Sequence, residues 1–291
     1  MHKFLRAIGF SDIRKKDLDI ILEEVIEHPE IMRVTKDSQG NEFAEFLKYY
    51  GEDIGILVRG SYDENDIFQT NYYVPFSLFD RVSTQEQIDI EKHAEKESYA
   101  GVCDEVRLGV TLIFYLQNMI DYVRIKDSGK LPVRGTSLCL SALSIEGMVM
   151  MPIKKNDRQK ETIKKKTNNR YRLIQAAREG DEKAIESLTL DDMDTYSFIS
   201  RRVLNEDIFS IVDSYFMPYG AECDQYSILG EITECTKIKN ELTGEQVYLM
   251  NINCNEVYFD LCINEQDIYG EPEVGRRFKG YIWLQGFINF P

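Results

Sequence analysis

The stretch GRRFKGYIWLQGFINF, residues 275–290, has the alternation of a β-strand in a tightly bent sheet. Successive side chains of a strand point to opposite sides. One face of this stretch therefore carries the apolar residues Phe278, Ile282, Leu284 and Ile288. Gly280 and Gly286 stand where a strongly curved sheet leaves little room for a side chain. The pattern predicts one strand of a small, curled sheet.

Three more stretches with a period of two precede this strand. They are SILGEITECTKIK (227–239), EQVYLMNIN (245–253) and EVYFDLCIN (256–264), and turn-forming residues separate them. Four or five short antiparallel strands with internal glycines are typical of a small barrel, of which the OB fold is one case. We therefore predict a small antiparallel, OB-like β-barrel over residues 221–291.

The second face of the last strand is rich in aromatic and basic residues. An exposed face does not normally carry several large aromatic side chains. Either this face packs against the rest of the chain, or it is a stacking platform for single-stranded nucleic acid. We favour packing, because the surrounding sequence is acidic and Glu265, Glu271 and Glu273 are available to the bases. The candidate binding surface comprises Arg276, Arg277, Lys279, Tyr281, Trp283 and Phe287.

The first half of the chain mixes helices and strands. RKKDLDIILEEVIEH (14–28) has helical spacing and ends before Pro29. The segment TQEQIDIEKHAEKE (84–97) is predicted to be a polar surface helix. Buried or half-buried strands are predicted at EFAEFLKYY (42–50), DIGILVRGSY (53–62), FQTNYYVPF (68–76), RLGVTLIFYLQ (107–117) and TSLCLSALSI (136–145). This order of elements indicates an α+β fold and not a regular βαβ repeat.

Charge divides the chain. Residues 154–172 contain nine bases and two acids, whereas residues 181–275 contain 21 acids and five bases. The basic segment either binds an acidic partner or, as we favour, packs against the acidic part of the same chain. The predicted division is a mixed α+β domain at 1–153, a basic linker or helix start at 154–169, a helical segment at 170–220 with a break at Gly180–Asp181, and the barrel at 221–291.

Bulk composition limits the class of protein. The chain has 291 residues, 43% of them hydrophobic, and a formal net charge of −15, which disfavours nucleic acid and anionic membranes as partners. Its apolar runs fall short of the roughly 18–20 residues that span a bilayer. Six cysteines without a CxxC pair are typical of thiols in a reducing compartment. These features predict a cytoplasmic, acidic protein, and they leave its oligomeric state open.

Motifs for phosphate, dinucleotide or acyl-transfer chemistry are absent from the sequence, which holds no GxxxxGK[ST], GxGxxG or GxSxG. We therefore predict no cofactor. Residues 58–66 place Arg59 at the end of a strand, and an acidic turn follows it. The carboxylates of this turn suit a hard cation, but their spacing is not that of a calcium-binding loop. A solvated turn is the favoured interpretation.

Histidine and cysteine offer little for a metal centre. His93 lies among charged residues, as a surface histidine does. Cys235, Cys254 and Cys262 lie on neighbouring predicted strands, but the alternation places Cys254 and Cys262 on opposite faces. We therefore predict no metal site. Cys223, next to Asp224, is a weak candidate for a nucleophile.

Four stretches together resemble a known family: MHKFLRAIGFSDI, RLGVTLIFYLQN, AAREGDEKAIESLTLDDMDTYSFISRR and VGRRFKGYIWLQGFINF. They are similar to uncharacterised clostridial proteins that are catalogued as a domain of unknown function. The resemblance covers essentially the whole chain. It implies a bacterial, cytosolic protein and brings no activity, cofactor or catalytic residue with it.

The sequence thus leads to three hypotheses of different classes. The first is a non-catalytic binding or regulatory protein that presents a surface to another macromolecule, such as a protein partner. The second is an enzyme with a site at the domain junction, built on carboxylates or on Cys223. The third is a single-stranded nucleic-acid binder that uses Tyr281, Trp283 and Phe287.

Overall fold

Two β-sheets and five α-helices make up most of the computed structural model, which describes residues 1–93, 97–131, 135–153, 157–221 and 223–291. The helices are α1 (Lys15–Glu27), α2 (Met119–Asp127), α3 (Asp157–Arg178), α4 (Glu182–Val203) and α5 (Ile208–Ile211). Short 3₁₀ helices span Lys3–Ile8 and Glu265–Asp267. The strands are β1 (Ile31–Lys36), β2 (Glu42–Gly51), β3 (Ile54–Tyr62), β4 (Phe68–Ser77), β5 (Ile88–Lys92), β6 (Tyr99–Glu105), β7 (Val110–Leu116), β8 (Ser137–Met150), β9 (Tyr215–Pro218), β10 (Gln225–Lys239), β11 (Gln246–Cys254), β12 (Val257–Asn264), β13 (Ile268–Tyr269) and β14 (Arg277–Asn289). The chain is therefore α+β, as predicted.

The smaller sheet is an antiparallel meander in the order β1-β2-β3-β4. Helix α1 packs on one of its faces through the buried residues Leu18, Ile21 and Val25, whose spacing places them on one side of a helix. The 3₁₀ helix Lys3–Ile8 is also buried, and it lies between this sheet and the larger one. The predicted helix and the predicted strands β2, β3 and β4 are confirmed.

Five strands of the larger sheet close into a barrel. Around the barrel, β8 pairs with β12, β12 with β11, β11 with β10, β10 with β14, and β14 with β8. The β8–β12 pair is parallel and the other four are antiparallel. The predicted inward face of β14 is confirmed, since Phe278, Ile282 and Leu284 are buried in the core.

The fifth barrel strand comes from outside residues 221–291. Residues 221–291 supply β10, β11, β12 and β14, whereas β8 comes from the part of the chain that was assigned to a separate N-terminal domain. Strand β8 is long and buried on both faces for much of its length. It completes the barrel because β12 and β14 each need a second neighbour.

The seam between β8 and β14 depends on two glycines. Gly147 and Gly280 face each other across the pair. A Cβ atom at Gly147 would lie 2.3 Å from the Phe278 ring, and one at Gly280 would lie 2.6 Å from the carbonyl oxygen of Glu146. Only glycine leaves the space that the Phe278 ring occupies.

A meander of β5, β6 and β7 extends the barrel sheet, with β7 parallel to the far end of β14. Residues 88–92, which form β5, belong to the segment that was predicted to be a polar helix, so that prediction is wrong. Ile88 and Ile90 are half-buried and alternate with exposed residues, which is a strand period. Residues 94–96 of the same segment lie outside the described ranges.

Helices α3 and α4 form an antiparallel hairpin between β8 and β9. Gly180 separates them with φ +91°, and the Asp181 side chain caps α4 by accepting hydrogen bonds from the backbone N–H groups of Lys183 and Ala184. The predicted break at Gly180–Asp181 is confirmed. Residues 154–156, where the basic segment begins, lie outside the described ranges. Among the residues described, no helix has the length and apolar composition that crossing a membrane requires.

Candidate functional site

The aromatic side chain of Trp283 is buried, with 6% of its surface exposed. Its Nε1–H donates to the Asp224 carboxylate at 2.6 Å. Its ring lies 4.8 Å from the ring of His2 and 5.4 Å from those of Phe4 and Tyr115, measured between centroids. The packing interpretation of this face agrees with these contacts, because the ring has no open side on which a base could stack.

The burial of Trp283 leads to a spectroscopic prediction. We expect a blue-shifted fluorescence emission that iodide quenches weakly in the native protein and strongly after unfolding in urea. Because this is the only tryptophan, the signal has a single origin. A red-shifted emission that iodide quenches equally well in both states would contradict the packing described here.

Arg277 and Lys279 hold the base of the helical hairpin. The Arg277 guanidinium is buried and donates to the backbone carbonyl oxygens of Met151, Phe209 and Val212 at 2.9–3.0 Å. Lys279 Nζ lies 5.2 Å from the centroid of the Phe209 ring. These two bases therefore connect β14 to the segments before α3 and after α4.

The remaining three predicted residues do not join them in one site. Arg276 makes an ion pair of 2.9 Å with Glu273 and donates to the carbonyl oxygen of Glu271, as the sequence suggested. The Tyr281 ring packs on Tyr219 with 4.0 Å between centroids. Phe287 is half-buried near the far end of the strand.

The acidic turn after β3 stabilises its own backbone. The Asp63 carboxylate accepts hydrogen bonds from the N–H groups of Asn65 and Ile67, and these bonds lower the pKa of Asp63. This is the solvated Asx-type turn that the sequence favoured. Within the described ranges, no three His, Cys, Asp or Glu side chains lie close enough together to hold a metal ion.

The cysteines lie apart from one another in the fold. Cys254 is in the barrel core, with its Sγ 3.3 Å from the Tyr215 carbonyl oxygen, whereas Cys262 is on the outer face, 3.2 Å from that of Ala7. The opposite faces predicted for these two thiols are confirmed. Cys223 is exposed, and the neighbouring Asp224 is bonded to Trp283.

A buried ionic cluster, which sequence reasoning missed, joins the smaller sheet to β7. Arg59 has no exposed surface, and it pairs with Glu45 at 2.5 Å. It also donates to Tyr115 Oη and to the carbonyl oxygen of Gln117, both at 2.5 Å. In the sequence, the cluster is indicated by Arg59 inside the apolar run IGILVRG and by Glu45 inside the apolar run FAEFL. Glu45 and Gln117 are buried and Tyr115 is half-buried, so the bonds of Arg59 connect the smaller sheet to β7.

Two clefts in the described part of the structure are open to solvent. The first, of about 620 Å³, lies between α3 and the segment Val82–Glu86, with Arg107 at its base. Arg107 is held by Glu105 through two bonds of 2.8 Å and by the carbonyl oxygens of Ser83 and Glu256. Most N–H donors of its guanidinium are therefore already bonded within the protein, which leaves few for a ligand.

The second cleft, of about 720 Å³, is a shallow groove between α1 and β4. Asp19 and Glu23 stand on its helical side, and Tyr72 and Tyr73 stand on its strand side. The two carboxylates are exposed to solvent, as is usual for polar positions on a surface helix. This groove holds no convergent set of polar groups that would fix a ligand.

Asp260 is a buried carboxyl group with altered acidity. It lies on the outside of the barrel, where Asn251 Nδ2 donates to it at 2.7 Å. Burial raises its pKa to about 6, partly offset by Asn251 and Arg81, and Glu234 and Asp80 add to the rise. Asp260 does not line either of the two clefts described above, and its raised pKa follows from its burial.

This shift predicts a pH dependence of stability. A carboxyl group whose pKa is raised in the folded protein favours folding at low pH, and this stability is lost as the pH rises from about 4 through 6. We expect Asp260→Asn to raise the free energy of unfolding by roughly 2–3 kcal/mol at pH 8 and to leave it nearly unchanged at pH 4. Urea unfolding of both proteins at the two pH values checks this. An equal change at both would contradict it.

Several large apolar side chains are exposed on the helical hairpin and directly after it. Ile185, Met193, Tyr196 and Val203 on α4, and Leu204 directly after α4, are exposed, Tyr196 by 75% and Leu204 by 82%. At 3.6 residues per turn these five positions fall within about 100° of arc around the helix axis. We call them the α4 stripe. Exposed apolar residues that share one face mark interaction surfaces.

Charged residues are also exposed on the hairpin. Glu186, Asp191 and Asp194 are exposed on α4, and Asp192 pairs with Arg170 of α3 at 2.7 Å. The exposed bases Lys165, Lys166 and Arg172 lie on α3. The sequence indicated the helical spacing of this segment, but it did not indicate that the apolar side would remain uncovered.

Comparison with protein families matches residues 5–286 to one family, whose description is "Domain of unknown function, E. rectale Gene description (DUF3881)". No curated protein and no solved structure matches the chain significantly. The match covers the smaller sheet, the hairpin and nearly all of the barrel, in agreement with the full-length resemblance of the sequence. The chain therefore belongs to the DUF3881 family of unknown function.

Proposed function

We propose that this protein acts by binding another protein, and that the α4 stripe is the surface it presents. The observation that carries the proposal is the exposure of Met193, Tyr196 and Leu204 on one side of α4. Leaving large apolar side chains in water costs free energy that a bound partner recovers. An amphipathic helix that is half uncovered is a common recognition element in protein complexes.

Charge defines the chemistry of the partner. The exposed carboxylate of Glu186 lies at the edge of the stripe, at the same angle around the helix axis as Leu204. Opposite charges across an interface speed association and suppress wrong partners. The partner that fits is therefore an apolar helix with lysine or arginine on its border.

The structure of the barrel favours a binding surface on the hairpin over one on the barrel wall. We infer that the barrel is OB-like, because its strand order is that of an OB barrel whose last strand comes first in the chain, as β8. OB barrels bind ligands over their second and third strands, which would here be β11 and β12. Residues of the 3₁₀ helix Lys3–Ile8 lie against that wall, where Asn240 Nδ2 and Cys262 Sγ contact the carbonyl oxygens of Ile8 and Ala7.

The proposal is tested with a photo-crosslinking amino acid in the full-length protein. p-Benzoylphenylalanine replaces Tyr196 in the stripe or, as a matched control, Tyr269, which is 78% exposed on the short strand β13. After irradiation in the cell of origin, we expect a crosslinked polypeptide at position 196 and none at 269. Mass spectrometry of the product should identify an apolar segment that contains lysine or arginine.

Two results would overturn the proposal. One is a crosslinking yield at position 196 no higher than at position 269. The other is a crosslinked segment that is wholly polar or acidic, since such a segment does not match the α4 stripe and its acidic border.

A further inference from the structure

The helical hairpin is anchored to the rest of the chain at its base. Arg277 of β14 donates to the carbonyl oxygen of Met151, which precedes α3, and to those of Phe209 and Val212, which follow α4. One buried guanidinium therefore holds both ends of the hairpin close together. Two anchor points so near to each other fix where the hairpin starts, but its direction depends on contacts farther along the helices.

Farther along, α3 faces the rest of the chain across a polar cleft. Tyr171, Gln175 and Arg178 are spaced by four and three residues, so they lie on one side of α3. Tyr171 and Gln175 line the cleft of about 620 Å³. Its opposite wall includes Arg107 and the polar run STQE (83–86). Few apolar groups meet across this cleft, so burial of apolar surface contributes little to holding the hairpin in place.

The two long helices have little contact with the sheets. Within α4, all of which the structure describes, Ala184 is the one buried residue. Among the described elements, α3 packs on α4 and α4 on α5, and neither long helix has extensive contacts with a strand. Structural units that share no large apolar interface usually move relative to each other.

The contacts described at the far end of α3 converge on Glu86. Tyr171 Oη donates to the Glu86 carboxylate at 3.4 Å, and the Arg178 guanidinium lies 3.9 Å from it. The side chains of Glu86 and Arg178 are 26% and 48% exposed. Partly exposed ion pairs of this kind are weak. The hairpin position that they favour is therefore in equilibrium with other positions.

We infer that the hairpin is an arm that swings as one body about its base at Arg277, and that Glu86 favours its closed position. The closed position is the one in the structure, with Arg178 beside Glu86. In the open position Arg178 leaves Glu86, and the cleft in front of Arg107 widens. The helices stay paired throughout, with Arg170 still bonded to Asp192. The contact with Glu86 is made by α3, so the swing does not depend on what covers the α4 stripe.

The test measures a distance between the hairpin and the barrel sheet by pulsed electron paramagnetic resonance in the full-length protein. A spin-labelled unnatural amino acid, which avoids the native cysteines, replaces Glu91 on β5 and Glu182 at the start of α4, both of them exposed. We expect two distances, of which the shorter is the closed position. Salt at about 1 M should lower the closed fraction, because it screens an exposed ion pair.

Variants at the two charged partners identify the contact. Arg178→Glu places a carboxylate beside Glu86 and should lower the ratio of closed to open hairpin about fivefold. In a Glu86→Gln background the same change should have a much smaller effect, because the partner charge is gone. Asp192→Ala breaks an exposed pair inside the hairpin and is the matched control, which should leave the ratio unchanged.

A second pair of labels checks that the arm moves as one body. Lys165 on α3 and Glu186 on α4 are both exposed, and labels at these positions should give one distance in every variant and at every salt concentration.

Three outcomes would overturn the inference. The first is a single Glu91–Glu182 distance that neither salt nor Arg178→Glu changes, since the hairpin would then be fixed. The second is a Lys165–Glu186 distance that broadens together with the first one, since the helices would then separate and not swing. The third is an equal effect of Asp192→Ala and Arg178→Glu, since Glu86 would then have no part in the closed position.

Discussion

Replacing Glu45 by alanine is expected to lower the free energy of unfolding by about 3–5 kcal/mol. The guanidinium of Arg59 would then remain charged, since arginine does not lose its proton in proteins. It would keep its bonds to Tyr115 and Gln117 but would have no exposed surface and no carboxylate partner at 2.5 Å. Urea unfolding, followed by circular dichroism, measures the loss.

A matched ion pair at the surface provides the control. Arg81 and Glu234 lie 2.6 Å apart, but their side chains are 40% and 61% exposed. We expect Glu234→Ala to cost less than about 1 kcal/mol. Equal losses in the two alanine variants would mean that the burial of Arg59 does not determine the strength of its pair.

A double variant distinguishes the effect of losing the whole ion pair from the effect of leaving the buried Arg59 charge without its partner. Glu45→Met with Arg59→Met removes both charges together and is expected to destabilise less than Glu45→Ala alone, because buried pairs exchanged for apolar residues are often neutral in stability. A double variant at least as unstable as the single one would show that shape, and not charge, dominates at this position.

Replacing Phe278 by alanine should have an effect of similar size, about 3–5 kcal/mol. Its ring is fully buried inside the barrel, and it fills the space above Gly147 and Gly280 at the closing seam. Alanine would leave a cavity at the point where β8 and β14 meet. Urea unfolding again gives the loss, and Tyr281→Ala, a half-buried outward position on the same strand, should cost clearly less.

The glycines provide an independent check on this packing. Gly280→Ala alone should destabilise by about 1–3 kcal/mol through crowding against Phe278 and Glu146. Combined with Phe278→Leu, part of that loss should be recovered, because the smaller side chain makes room. Strictly additive losses would contradict the close contact between ring and glycine.

Strands β10, β11, β12 and β14 could be predicted because alternate residues of each face the barrel core, which gives a period of two. Strand β8 was predicted as a strand but not as a barrel member. Its run LCLSAL is buried on both faces, so alternation does not report its neighbours. Pairing between Leu138 and Ile288 joins residues that are far apart in the chain, and no local pattern encodes such a contact.

The predicted helix at 84–97 failed for a related reason. Its polar composition suggested a surface helix, but the Ile88 and Ile90 pair has a strand period and packs at the border of the core. Arg59 was placed at the end of a predicted strand, before an acidic turn, and was given no buried partner. It lies inside the sheet because Glu45, on the adjacent strand, compensates its charge.

The candidate surface on β14 and the α4 stripe show one limit of sequence-based prediction. Periodicity identifies a face of a strand or helix, but it does not reveal what that face packs against. The aromatic face of β14 was expected to pack, and the Trp283 ring does have aromatic partners from two other segments of the chain. The α4 stripe was recognised as helical, but periodicity alone does not reveal whether an apolar side has something to pack against. Both answers depend on tertiary contacts.

Strand β14 also has a consequence for how the protein is made. It follows every other strand in the sequence, yet it pairs with β7, β8 and β10 at once. During synthesis, β8 and β10 therefore leave the ribosome long before the strand that joins them, and their backbone edges stay unpaired meanwhile. Folding of the barrel has to wait until β14 has emerged, whereas the β1–β4 meander, with only neighbouring contacts, is complete much earlier.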